Sequence, residues 1–149
     1  MKLSAGLLPF RHPGSLEVLI AHPGGPFWAK KDAGHWSLVK GEVAGGEDPL
    51  ATALREFTEE TGWLPPTGGW IDLGSITMRS GKVVHAWAVE ADFDLAAFAP
   101  GLFSMTWQGR RQEFPEVDRV LWCSVDEACQ LLNPAQIPLV DRLVAALPL

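Results

Sequence analysis

The sequence predicts an α/β fold in which a mixed sheet is covered by helices. Three observations carry this expectation. Apolar runs at 3–10, 16–22 and 82–92 have strand lengths and are bounded by turn residues. The segment from Asp48 to Gly62 has a helix start, a helix stop and an apolar stripe between them. A second helical stretch, Pro134 to Ala146, lies near the end of the chain.

Taken in order, the first two runs are joined through His12-Pro13-Gly14-Ser15, which reads as a hairpin. His22-Pro23-Gly24-Gly25-Pro26 opens an irregular loop that reaches Gly34. A short strand from Trp36 to Lys40 leads into a glycine-rich turn through Gly46. Asp48 and Pro49 suit the N-cap and first turn of a helix, and Gly62 suits its stop. At about 100° per residue, Leu50, Ala53, Leu54 and Phe57 share one face. Runs at 70–78 and 82–92 read as strands meeting near Arg79-Ser80-Gly81. In the second run, apolar residues occupy both alternating sets, so both faces are expected to be covered. A polar loop is expected from Pro100 to Asp118, then a strand at 119–124 and a short helix from Val125 to Leu132. In the terminal helix Ile137, Val140, Leu143 and Val144 form one stripe.

The chain has 149 residues, which suits one domain able to bury a core without staples. Hydrophobic residues make up 47% and charged residues 20%, a balance that argues against disorder. No apolar run approaches the roughly 18 residues of a spanning helix. The opening Met1-Lys2-Leu3-Ser4-Ala5-Gly6-Leu7-Leu8 is read as a strand, because Arg11 and His12 interrupt it and no cleavage site follows. Cys123 and Cys129 lack zinc-type spacing, and a reduced, cytoplasmic protein is expected. The net charge of −6 argues against a stable nucleic-acid partner, and no membrane partner is expected. Lys30, Lys31 and Lys40 are the one local cationic stretch, placed just before the most acidic segment. A small molecule is the expected partner, with the chain acting as a monomer or homodimer.

That acidic segment is the helix from Asp48 to Thr61. With Glu56 at zero, Glu59 falls near −60° and Glu60 near +40°, so the three carboxylates project into an arc of about 100°. Like charges at these spacings destabilise a helix, and acids in a last turn oppose its dipole. One reading is a solvated acidic face. The other is a site for a hard cation such as magnesium or manganese, held by oxygen ligands on a rigid element.

The spacing around the helix favours the second reading. From Gly41 there follow five residues, Glu47, seven residues, Arg55-Glu56-Phe57, one residue, Glu59-Glu60, one residue, and Gly62-Trp63. This resembles the signature box of the Nudix hydrolases at every charged and glycine position. Phe57 and Trp63 stand where aliphatic residues are commoner, and Val39 in Trp36-Ser37-Leu38-Val39-Lys40-Gly41 stands where many relatives carry proline. The runs Ser4–Leu8, His22–Trp28 and Phe114–Asp118 resemble a bacterial branch of that family described as nucleoside-triphosphate pyrophosphohydrolases.

The resemblance implies an α/β/α sandwich with a mixed, curved sheet between helices, and hydrolysis of a nucleoside diphosphate linked to another moiety. It implies that Glu56, Glu59 and Glu60 hold Mg²⁺, with Mn²⁺ a possible substitute, and that the Gly41 carbonyl completes the ligand set. Arg55 is expected to pair with Glu47 and brace the glycine loop, with Gly62 ending the helix. The general base is expected to be Glu56, with Glu113 or Glu116 as candidates outside the box. Lys40, Trp28, Trp36 and Glu113 are candidate substrate contacts, although a tryptophan beside a strand also suits a core. His35 and His85 are expected in packing or surface roles. The competing function is a nucleotide-binding sensor that keeps the fold without catalysis. A Nudix-fold isoprenyl diphosphate isomerase is disfavoured, since its extra histidine-containing metal site is not found in the sequence.

Overall fold

A computed structural model describes residues 2–148. Its main sheet contains β1 (Leu3–Arg11), β2 (Glu17–Pro23), β3 (Val39–Glu42), β4 (Ile71–Thr77), β5 (Val83–Glu90) and β8 (Val117–Ser124). The order is β4-β5-β1-β2-β8, and β3 also pairs with β1. β1 runs parallel to β5 and antiparallel to β2 and β3, so the sheet is mixed. β3 takes β1 from Ser4 to Leu7, whereas β2 holds it only at Phe10 and Arg11 before turning to β8. Ala21 of β2 and Lys40 of β3 both line the cleft described below.

Two cores sit on opposite faces of the sheet, which makes the fold an α/β/α sandwich. Successive residues of β1 divide between them, as the strand period requires. Ala5 and Leu7 join Val39, Ala53 and Phe57 beneath the helix α1 (Pro49–Thr61). Leu8 and Phe10 join Ile20, Val84 and Leu143 against α2 (Val125–Leu131) and α3 (Ile137–Ala146). Strand β5 splits likewise, Trp87 and Val89 on the first side and Val84, Ala86 and Ala88 on the second.

Helix α1 starts and stops where the chain's caps dictate. The Asp48 side chain accepts from Ala51 N–H, Pro49 opens the first turn, and Gly62 closes the helix at φ 82°. The two aromatic positions of the box pack together: Phe57 and Trp63 lie 6.2 Å apart, and Phe93 stacks on Trp63 at 5.0 Å. The larger side chains thus fill one shared space.

Four sequence expectations are corrected. The stretch expected as a polar loop contains a hairpin, β6 (Leu102–Trp107) and β7 (Arg110–Pro115), standing apart from the main sheet. It reads as polar because one face is wet: Ser104, Thr106, Arg111 and Glu113 are exposed. Its turn uses Gln108 and Gly109, at φ 53° and 76°, in place of the commoner Asn-Gly. The strand expected at Trp36–Lys40 is shifted, since Trp36 and Ser37 make only single bridges and the ladder begins at Val39. The terminal helix is preceded by a 3₁₀ turn, Pro134–Gln136, capped by Asn133. Val144 is 42% exposed, because α3 buries the narrower stripe Leu139, Val140 and Leu143. No helix among the described residues is long and apolar enough to cross a membrane.

Candidate active site

The last turns of α1 present Glu56 and Glu60 toward β3 and the segment before β8, whereas Glu59 is half exposed and pairs with Arg55. Ligand atoms of Glu56, Glu60 and Glu116 lie within 4.8 Å of one another. Glu60 is only 8% exposed, and its Oε2 has no hydrogen-bond partner among the described residues. Burial, and then the charges of Glu56 and Glu116, push its pKa up to about 9. Burial followed by Glu56 and Glu59 also raises Glu116. Lys40 faces Glu60 across the cleft and is lowered, first by burial and then by Lys82. A buried carboxylate oxygen without a donor, beside two further carboxylates, fits a hard divalent cation. Glycine at 41 belongs to the same arrangement, because a Cβ there would overlap the Glu56 side chain.

Arg55 ties the frame together. Its Nε and Nη2 donate to the two oxygens of Glu47, both at 3.1 Å, and Nη1 reaches Glu59 at 3.1 Å and Glu56 at 3.3 Å. Thr52 adds a 2.6 Å hydrogen bond to Glu47. The Arg55 and Thr52 hydrogen bonds hold Glu47 down at about 2, and Arg55 is raised in turn, chiefly by Glu47.

Glu116 is the site residue that sequence spacing alone does not single out from Glu113. Its N–H donates to Gly101 O at 2.9 Å, and its carbonyl accepts from Gly24 N–H at 3.0 Å. Gly101 N–H in turn donates to Glu59 O at 2.9 Å, linking the hairpin's base to α1. Both glycines permit close backbone approach: a Cβ on Gly24 would overlap Pro115 O, and one on Gly101 would lie 2.7 Å from Glu59 O. Glu113 sits exposed on β7, opposite Ser104, and does not line the cleft.

The cleft beside these carboxylates has a volume of about 540 Å³. Glu60, Glu116 and Lys40 line it together with Trp28, Lys31 and Trp36. Trp28 is 37% exposed and carries Lys31 Nζ at 5.1 Å from its ring centroid. Trp36 is 5% exposed and belongs mainly to the core, with its Nε1 donating to Asp32 at 2.7 Å. His35 also lines the cleft beside Trp28, whereas His85 stacks on Trp87 and bonds Asp72.

Sequence reasoning missed His22. It has no exposed surface, and its ring nitrogens lie 2.7 Å from Asp118 Oδ1 and 2.6 Å from Lys31 O. Its ring meets Trp36 edge-on at 5.3 Å. The loop carrying Trp28 and Lys31 is thereby fastened to β8 just beyond Glu116. A histidine in a buried strand, followed by Pro-Gly-Gly, was the available signal.

A family model described as NUDIX domain matches residues 2–143. The chain belongs to the Nudix family. Its relatives include an RNA pyrophosphohydrolase of Rhodospirillum rubrum, 28% identical over 97% of this chain and 91% of the relative. A bis(5′-nucleosyl)-tetraphosphatase (asymmetrical) of Rattus norvegicus is 34% identical over 65% of this chain and 60% of its own length. Among solved structures, an Ap4A hydrolase of C. elegans in a binary complex aligns with a TM-score of 0.69. That match has 21% identity, covers 95% of this chain and 96% of the other, and bears on the fold. The Nudix chain is a hydrolase of pyrophosphate bonds.

Proposed function

We propose that the protein hydrolyses a phosphoanhydride bond in a nucleoside diphosphate linked to another moiety, a nucleoside triphosphate or a dinucleoside polyphosphate, with Mg²⁺ as its metal. The observation that carries this reading is the buried, donor-less Glu60 oxygen facing Glu56 and Glu116 in a cleft that also presents Lys40. The relatives' names, which specify an RNA pyrophosphohydrolase and a dinucleoside tetraphosphatase, support the substrate class.

Glu56, Glu59 and Glu60, with the Gly41 carbonyl, would hold Mg²⁺ or Mn²⁺, and Glu116 faces the same space. A bound divalent ion neutralises phosphate charge and lowers the pKa of a coordinated water. Glu116 takes the proton of the attacking water in this reading, ahead of Glu56, because it reaches the same space from a separate segment and is not tied to Arg55 as Glu56 is. Lys40 donates to a phosphate oxygen. Trp28 offers a ring face to the base. Arg55 and Glu47 keep Glu56 and Glu59 in place. The two free thiols, Cys123 and Cys129, suit a reducing cytoplasm.

The test is incubation of purified protein with Mg²⁺ or Mn²⁺ and a panel of nucleoside triphosphates, dinucleoside polyphosphates and a 5′-triphosphorylated RNA. Product analysis in ¹⁸O-labelled water identifies the phosphorus attacked. No turnover of any anhydride with either metal refutes the reading. A sensor predicts instead nucleotide binding that a chelator leaves unchanged.

A further inference from the structure

The cations of this acidic protein are unevenly matched. Lys2, Arg11, Arg55, Lys82 and Arg119 each have a carboxylate partner, and Arg142 donates to two backbone carbonyls. Among the described residues, Lys30, Lys31, Arg79, Arg110 and Arg111 are exposed and make no ion pair with a carboxylate. Arg79 stands by itself in the turn between β4 and β5. The other four come from two segments far apart in sequence that the fold brings together. Phe27 meets Trp107 edge-on at 5.4 Å, and Phe103 packs so closely on Gly25 that a Cβ there would lie 2.9 Å from its ring.

Phe103 and Trp107 lie on the same face of β6, and Arg110 is the cross-strand partner of Trp107. Arg110 therefore shares the face that meets Phe27, while Arg111, opposite Thr106, belongs to the other face. A ledge of rings and charges results: Lys31 lies over Trp28, Phe27 meets Trp107, Arg110 is paired with Trp107, and Lys30 is exposed next to Lys31. Phe27 is 63% exposed, an unusual degree for so large an apolar ring. Trp28 and Lys31 also line the cleft, so the ledge is continuous with it.

We propose that this ledge binds the first nucleotides of a single-stranded RNA whose 5′ polyphosphate enters the cleft. The entry of the polyphosphate rests on the hydrolytic reading above, whereas the ledge itself stands on its own residues. Rings set beside cations match a strand, which alternates bases with single phosphates. A dinucleoside polyphosphate concentrates its charge in one unbranched chain beside the metal ligands and leaves cations farther out without phosphates to meet. Stacking on ring faces is open to every base, so binding is expected to be tolerant of sequence.

Fluorescence anisotropy in chelator, with a labelled single-stranded RNA decamer bearing a 5′-triphosphate or a 5′-hydroxyl, tests this directly. Both probes are expected to bind. The exposed double variant Lys30→Glu/Arg110→Glu is expected to weaken both by about tenfold or more. Its slope of log affinity against log salt should be shallower by about 1.4, from two phosphate contacts at roughly 0.7 each on a single strand. Phe27→Ala should weaken binding severalfold and leave the slope unchanged. Absence of binding, or binding unaltered in both variants, overturns the ledge. So does a variant whose KM rises for a dinucleoside tetraphosphate while its RNA affinity stays as it was.

Turnover of ATP separates the two readings. Lys30→Glu/Arg110→Glu should leave it unchanged, and its loss would overturn the ledge as a surface distinct from the cleft. RNA bound through the ledge with no anhydride cut would overturn the hydrolytic reading and leave the ledge standing.

Discussion

His22 Nδ1 lies 2.7 Å from the Asp118 carboxylate in a position closed to solvent, while Nε2 meets the carbonyl of Lys31 at 2.6 Å. The ring thus bridges a side chain of β8 and a backbone carbonyl of the loop. The pair joins the strand that follows Glu116 to the loop that carries Trp28.

Loss of that junction should be visible in both stability and binding. His22→Phe keeps a ring of similar size and leaves Asp118 and the Lys31 carbonyl without their partner. The expected destabilisation is about 1–3 kcal/mol, measured by urea unfolding. KM should rise more than kcat falls, since the displaced loop lines the cleft and the carboxylates do not move. An unchanged unfolding midpoint would show that the junction contributes nothing.

Glu60 gives the metal-free protein a distinctive pH dependence. Its folded pKa of about 9 lies above its ordinary value of 4.5, so the folded state retains a proton that the unfolded chain releases. Stability of the metal-free protein should therefore fall as pH rises from about 4.5 to about 9. A divalent ion takes the place of that proton, so the rise in Tm on adding Mg²⁺ should grow between pH 6 and pH 9. Glu60→Gln should flatten the metal-free profile, remove the Mg²⁺ effect and abolish turnover. Differential scanning calorimetry in chelator and in Mg²⁺ checks each part.

Glu116 and Glu113 are three residues apart and should behave differently. Glu116→Gln is expected to lower kcat by about 10²-fold or more, as for loss of a general base. Glu113→Gln should stay within about twofold of the parent. Equal loss in both would contradict the placement of Glu116 beside Glu56 and Glu60.

Arg55 acts through its neighbours. Arg55→Ala should lower kcat/KM by about 10–100-fold, the range seen when partners of metal ligands are lost. Arg55→Lys should recover only part of this, because an ammonium cannot span both oxygens of Glu47. The depressed Glu47 makes the brace acid-resistant: its contribution is in place above about pH 4.5 and is lost as pH falls toward 2. Thermal scans of wild type and Arg55→Ala from pH 7 down to pH 3 would register the difference, and a change confined to KM would refute the bracing role.

How far the sequence reaches depends on whether the relevant interactions are local. Helix α1 was legible to the residue because Asp48, Pro49 and Gly62 set its ends through contacts a few residues long. The two-sided burial of β5 was legible because alternation is a property of the strand itself. The hairpin was hidden, since β6 and β7 pair with each other outside the main sheet and keep one face wet. The choice between Glu113 and Glu116 was hidden for a related reason. It depends on Gly24 and Gly101, which meet Glu116 only through backbone contacts distant in sequence. His22 was missed because its partners lie 9 and 96 residues away.

The hydrogen bond from Glu116 to Gly101 closes the hairpin at its foot, and Gly24 and Glu59 hold that foot from either side. Residues 104–113 stand beyond that foot, so changes of length or side chain there are expected to leave Glu116 in place. With the ledge as the proposed strand-binding surface, a graft of a foreign hairpin onto this base is expected to change substrate preference while leaving the reaction where it is.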